Sequence, residues 1–153
     1  MRHVATGQDK NARTKLSSVK ADERFRPREH LRKRSDFARV YSARCSAGDE
    51  VLVIYVAPND LEFARIGISV SRRVGTAVTR SYVRRRVREA FRRNKEKFPA
   101  GVDVICIAKP SAADKGRDLG ASLVRQVARA AKRCATGRAI PAPCRESNRA
   151  TSN

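Results

Sequence analysis

Apolar residues recur along this chain at intervals that change from segment to segment, and each interval predicts a different element. In "RSDFARVYS", Val40 and Tyr41 follow Phe37 at offsets of three and four, and Ser35 is a candidate N-cap, which predicts a short first helix. "VLVIYVA", from Val51 to Ala57, is rich in β-branched and aromatic residues and stops at "PND", so it reads as a strand ended by a turn. "RIGISVS" alternates Ile66, Ile68 and Val70 with Gly67 and Ser69, as a half-buried strand does. It follows the first strand closely enough to predict an antiparallel hairpin. From about Thr79 to Lys97 the interval lengthens: Val83, Val87 and Phe91 form an apolar stripe, and Arg80, Arg84 and Arg88 run beside it, which predicts an amphipathic helix stopped by Pro99 and Gly101. "VDVICIAK" is a further strand, ended by Pro110, and Leu119, Leu123, Val127 and Ala130 mark one face of a last helix. The order helix, strands, helix, strand, helix predicts an α+β sandwich, a small sheet with helices packed against it.

The ends have a different texture. Residues 1–23 carry few large apolar side chains and no sustained period, which predicts a flexible basic arm. Residues 135–153, small and polar with Pro141 and Pro143, predict a disordered tail. One domain is expected between them, over residues 24–134. No run approaches the roughly 18 to 20 apolar residues of a membrane span, and the N-terminus lacks the apolar stretch of a signal peptide. Asp9, Asp22 and Glu23 also argue against an organelle-targeting peptide. The expectation is a cytoplasmic protein with no membrane partner.

Charge sharpens the picture. The 153 residues hold 35 Lys and Arg against 15 Asp and Glu, a formal net charge of +20. Within "SRRVGTAVTRSYVRRRVREAFRR", Ser71 to Arg93, the only acid is Glu89. Such self-repulsion destabilises a compact state unless a polyanion relieves it, and guanidinium groups suit phosphate because each can donate two parallel hydrogen bonds. Acidic lipid fits poorly, since the apolar stripe of the arginine helix is needed to cover the sheet. Neither a helix-turn-helix nor a zinc pattern supports sequence-specific DNA binding. Aromatic residues near basic ones favour unpaired nucleotides, with Phe37, Tyr41 and Tyr55 as candidates for base stacking and Phe91 as a core residue. Cys45, Cys106, Cys134 and Cys144 are scattered, and His3 and His30 are remote from them, so no protein metal site is expected. Cys106 reads as a small core residue. Asp49, Glu50, Asp60 and Glu62 flank a strand, where they are expected to solvate its ends. No catalytic side chain stands out.

The string "RIGISVSRRVGTAVTRSYVRRRVREAFR", with "LRKRSDFARVY" before it and "VDVICIAKP" after it, resembles the signature of the bacterial ribonuclease P protein component over residues 30–133. The resemblance implies a small α-β-α sandwich with a mixed sheet, its arginine helix joining two parallel strands by a left-handed crossover. It implies that the chain is a subunit of an endoribonuclease whose catalysis resides in the RNA component, with Mg2+ held mainly by that RNA. Implied partners are the catalytic ribonuclease P RNA and precursor tRNA, with no obligate protein partner. By position, RNA contacts fall to Arg72, Arg73, Arg80, Ser81, Arg84, Arg85 and Arg88. Contacts to the single-stranded 5′ leader fall to Phe37, Tyr41, Val53, Tyr55, Arg73, Arg80 and Ser81. The signature usually reads Arg-Asn-Arg where this chain has Arg80-Ser81-Tyr82: Ser81 lacks the amide, and Tyr82 exchanges a charge for a stacking surface. A ribosomal or other structural RNA-binding protein is the competing reading, and an independent protein nuclease a third.

Overall fold

The computed structural model describes residues 24–137; the predicted arm at residues 1–23 and the tail beyond Gly137 lie outside the described residues. The elements follow in the order α1 (Arg34–Ser42), β1 (Cys45–Gly48), β2 (Leu52–Pro58), β3 (Arg65–Val70), α2 (Ala77–Arg93), β4 (Val102–Ala108) and α3 (Leu119–Ala135). The strands form one sheet in the order β1-β2-β4-β3, with β3 and β4 parallel and the other pairs antiparallel. Helix α1 lies on one face, and α2 and α3 on the other. The α-β-α sandwich is therefore as expected.

The expected hairpin between β2 and β3 is not formed, because β4 lies between them. Val104, Ile105 and Cys106 are all fully buried, so β4 is apolar on both faces and gains most from a central position with both edges paired. The β2–β3 connection is held across its end: the Asn59 amide nitrogen donates to the Gly101 carbonyl at 2.8 Å, and Asn59 Nδ2 donates to Asp103 Oδ1 at 2.7 Å. Helix α2 supplies the long crossover that a parallel β3–β4 pair requires. The short edge strand β1, Cys-Ser-Ala-Gly, has no apolar alternation by which it could be expected.

Between the sheet and α2 and α3, Leu52, Ile54, Val56, Ile66 and Val104 meet Val83, Val87 and Phe91 from α2 and Leu119, Leu123, Val127 and Ala130 from α3. These are the stripes that the spacing predicts. Phe91 stacks on Phe98 with ring centroids 5.1 Å apart, and Phe25 packs edge-on against it at 5.8 Å, so the segment before α1 also docks on α2. Cys106 is a core thiol, which burial pushes up to about 12.

Helix boundaries differ where local hydrogen bonding decides them. Helix α1 starts at Arg34, with Lys33 at the N-cap and its carbonyl accepting from the Phe37 amide, so Ser35 sits inside the first turn rather than capping it. Helix α2 starts at Ala77 because Thr76 caps it, its side chain accepting from the Thr79 amide at 3.3 Å. Gly75 before that cap has φ +147°, and a Cβ there would come within 3.1 Å of Thr79. The helix stops at Arg93, where Asn94 Nδ2 donates back to the Ala90 carbonyl at 2.7 Å.

Asp49 is turned inward instead of solvating a strand end. Its carboxylate accepts from the amides of Val51 and Leu52 at 2.8 and 2.9 Å, and from Ser122 Oγ and Gln126 Nε2 of α3 at 2.5 and 3.1 Å. Burial raises its pKa, but the Ser122, Leu52, Val51 and Gln126 hydrogen bonds outweigh that and hold it down to about 2. A folded pKa below the unfolded one gives stability that is present above about pH 4 and lost as pH falls toward 2. The wild-type chain is expected to lose about 2 kcal/mol more than Asp49→Asn across that window, by urea unfolding. Parallel pH profiles for the two proteins would contradict this clamp.

Candidate nucleic-acid interface

Strand register sorts the α1 face of the sheet into rows. At one end, Ala57, Asp103 and Arg65 lie side by side on β2, β4 and β3. Asp103 is fully buried, yet it receives Arg65 Nε at 2.8 Å and Arg65 Nη2 at 2.6 Å, Asn59 Nδ2, and Arg39 Nη2 from α1. Arg65 also pairs with Asp36 in the first turn of α1 at 3.5 Å. The carboxylate, itself closed to water, thus binds α1 to the sheet through charge-assisted bonds, with Arg65 largely enclosed and Arg39 reaching in from the surface. Asp103 and Asp36 hold the Arg65 guanidinium more firmly protonated than usual, despite its partial burial.

The next row is Tyr55, Ile105 and Gly67, and α1 covers it with aromatic rings. Tyr41 meets Tyr55 edge-on at 5.0 Å, and Phe37 lies 6.5 Å from Tyr41. A Cβ on Gly67 would stand 2.6 Å from Phe37 Cζ, so the ring reaches the sheet only because this position is glycine. Burial raises the pKa of both tyrosines, keeping the hydroxyls neutral and able to donate to an anion.

The third row, Val53, Ile107 and Ser69, is only partly covered. It forms an open apolar floor beside Phe37 and Tyr41. The structure thus brings Phe37, Tyr41, Val53 and Tyr55 into one cluster, in which Tyr55 is 8% exposed and serves mainly as support. Spacing along the chain does not single out Ile107 or Ser69, since their place depends on β4 lying between β2 and β3. Ser69 precedes Arg72 by three residues, so the floor adjoins the exposed basic turn Arg72–Val74 and the start of α2.

Arginines of α2 divide by what they touch. Arg92 and Arg93 pair with Glu89 at 2.6 and 2.9 Å, and the Arg92 hydrogen bond leads the effects that bring Glu89 down to about 2. Arg86 turns away and donates to the carbonyls of Ala112, Asp114 and Arg117. Arg72, Arg84, Arg85 and Arg88 pair with no carboxylate among the described residues. Arg88, with Arg32, adds to burial in lowering the pKa of His30, so its charge is felt on that side of the helix. Arg73 is exposed in the turn, and Arg80 is half-buried with Nε enclosed. Ser81 is exposed on α2, across the sheet from the aromatic cluster. Among the described residues no three His, Cys, Asp or Glu side chains gather as a metal site. None of the described helices is long and apolar enough to cross a membrane.

The family model described as Ribonuclease P matches residues 25–134. The chain belongs to the ribonuclease P protein family. It is a protein component of that endoribonuclease. The ribonuclease P protein component of Clostridioides difficile is 44% identical over 91 residues, spanning 59% of this chain and 80% of that protein. That of Syntrophus aciditrophicus is 36% identical over 103 residues, 64% of this chain and 87% of the relative. Among solved structures, the RNase P protein of Staphylococcus aureus superposes with a TM-score of 0.58 at 32% identity, covering 68% of this chain and 95% of that one. The Thermotoga maritima protein gives 0.59 at 31%, covering 65% and 96%.

Because α1 is tied down at Asp103, Asp103→Ala removes the buried acceptor shared by Arg65, Arg39 and Asn59, leaving Arg65 with Asp36 alone and Arg39 to solvent, and is expected to cost about 1 to 3 kcal/mol of folding stability. Urea unfolding at neutral pH measures it, and an unchanged midpoint would show that the cluster does not anchor the helix.

Proposed function

We propose that this ribonuclease P subunit binds the catalytic RNA through the guanidinium groups around α2 and receives the 5′ leader of precursor tRNA in the cleft beneath α1. The observation that carries the reading is the juxtaposition of a half-open apolar floor with a basic turn and helix whose Arg72, Arg84, Arg85 and Arg88 lack carboxylate partners among the described residues. Unpaired bases stack on aromatic rings and apolar surface, and arginines hold the phosphates on either side. Phe37, Tyr41, Val53 and Tyr55 take the leader, with Ile107 added to the floor. Arg73 and Arg80, in the basic turn and at the start of α2, serve both leader and catalytic RNA, and Ser81, on the outer side of α2, faces the RNA. Arg72, Arg84, Arg85 and Arg88 serve the RNA. Tyr41 and Phe37 present more surface than Tyr55, so they make the direct contacts.

Hydrolysis belongs to the RNA in this reading, with Mg2+ held by RNA phosphates, which are the oxygen donors such a hard ion favours. The protein raises affinity for precursor tRNA and acts in the cytoplasm.

Mixing the chain with a bacterial ribonuclease P RNA and precursor tRNA at low Mg2+ tests the proposal. The expected result is 5′ processing that requires both macromolecules; cleavage without RNA, or RNA binding without processing, would overturn it. Tyr41→Ala should weaken binding of leader-bearing precursor about tenfold, from the loss of one stacked base, and leave leaderless tRNA unaffected. Equal losses on both substrates would assign Tyr41 to the fold alone. Replacing Arg84 and Arg88 together with Ala should weaken association with the RNA and reduce the slope of log K against log salt by about one to two. An unaltered slope would place the RNA on another surface.

A further inference from the structure

The core stripe of α2 is Val83, Val87, Ala90 and Phe91, yet the first turns of the same helix carry Val78 at 80% exposed and Tyr82 at 37%. Four residues apart, these two lie on one side of the helix, outside its core stripe. With Ala77, Ser81 and Arg85 they line a shallow hollow of about 450 Å³. Tyr82 is also backed. The Arg86 guanidinium sits over its ring, 5.5 Å from the centroid, and is itself held by the carbonyls of Ala112 at 3.1 Å, Asp114 at 2.9 Å and Arg117. A cation fixed against one side of the ring restricts its motion and orients it before any ligand arrives.

A flat aromatic ring beside an aliphatic side chain, with Arg85 at the rim and no carboxylate paired to it among the described residues, matches a planar base joined to a phosphate. The neighbourhood discriminates further. Between Ser71 and Arg93 the sole acid is Glu89, already bound to Arg92 and Arg93, so the field around the hollow selects for an anionic chain. A continuous duplex would offer no free base face.

We infer that Val78 and Tyr82 form a stacking platform for an unpaired base of the ribonuclease P RNA, with Arg85 taking an adjoining phosphate. The inference rests on the RNA-binding reading above. At the third position of the usual Arg-Asn-Arg signature, this chain replaces a charge contact with stacking. That exchange has a thermodynamic mark: stacking contributes affinity without releasing counterions, so it alters the binding constant and leaves the salt slope alone.

The experiment measures binding to a purified bacterial ribonuclease P RNA across a range of salt. Tyr82→Ala should weaken binding about tenfold with the slope unchanged. Tyr82→Phe should retain wild-type affinity, and Tyr82→Arg should steepen the slope. Because the chain has no tryptophan, Tyr82→Trp adds a single tryptophan, excited apart from the tyrosines at the red edge, whose emission should be quenched when the RNA binds. Wild-type affinity in Tyr82→Ala, or Trp emission unchanged in a complex shown to form, would remove the platform and leave the RNA-binding reading standing. Failure of the wild-type chain to bind the RNA would overturn both.

Discussion

Asp103 lies at full burial between Arg39, Arg65 and Asn59, and the placement of α1 follows from it. A lone carboxylate in that position would be strongly unfavourable; with two guanidinium groups and an amide donating to it, the desolvation is compensated and the geometry becomes specific. Other acids are used in the same way. Asp49 joins the β1–β2 turn to α3, and Glu29 pairs with Lys95 at 2.8 Å, holding the segment before α1 against the end of α2. Glu89 occupies Arg92 and Arg93. In a chain with 35 basic and 15 acidic residues, carboxylates engaged in internal bonds leave the outer face of α2 with a surplus of positive charge.

That asymmetry links fold to activity. The sheet separates an α1 side, whose ion cluster and aromatic rings leave the Val53, Ile107 and Ser69 row open, from an α2 side that carries the arginines. The two join at the basic turn after β3, where the chain passes from the open floor into the arginine helix. The proposed function uses both surfaces of one body, the apolar floor for bases and the arginines for phosphates, and the sheet fixes the spacing between them.

Most elements were legible in the sequence, because burial writes its period directly into residue type: Val83, Val87 and Phe91, or Leu119, Leu123 and Val127, admit a single face. Pairing was not. Alternation in "RIGISVS" indicates a half-buried strand but not its neighbour, and the parallel partner β4 arrives only after α2. The edge strand β1 escaped notice because Cys-Ser-Ala-Gly carries almost no apolar contrast. At the site, the aromatic cluster was readable from spacing and family likeness, whereas the inward turn of Arg86 was not, since its acceptors are backbone carbonyls of a distant loop that any residue type would provide. Asp49 looked like a solvated strand end until α3 brought Ser122 and Gln126 to it.

In the free protein the surface arginines repel one another. The most direct measurement is the thermal midpoint of the free wild-type chain against NaCl concentration, beside a variant with Arg84 and Arg88 replaced by Gln. Screening should raise the wild-type midpoint steadily and raise that of the variant less. A midpoint that is flat or falls with salt, or that responds equally in both proteins, would mean that these guanidinium groups are already compensated within the molecule.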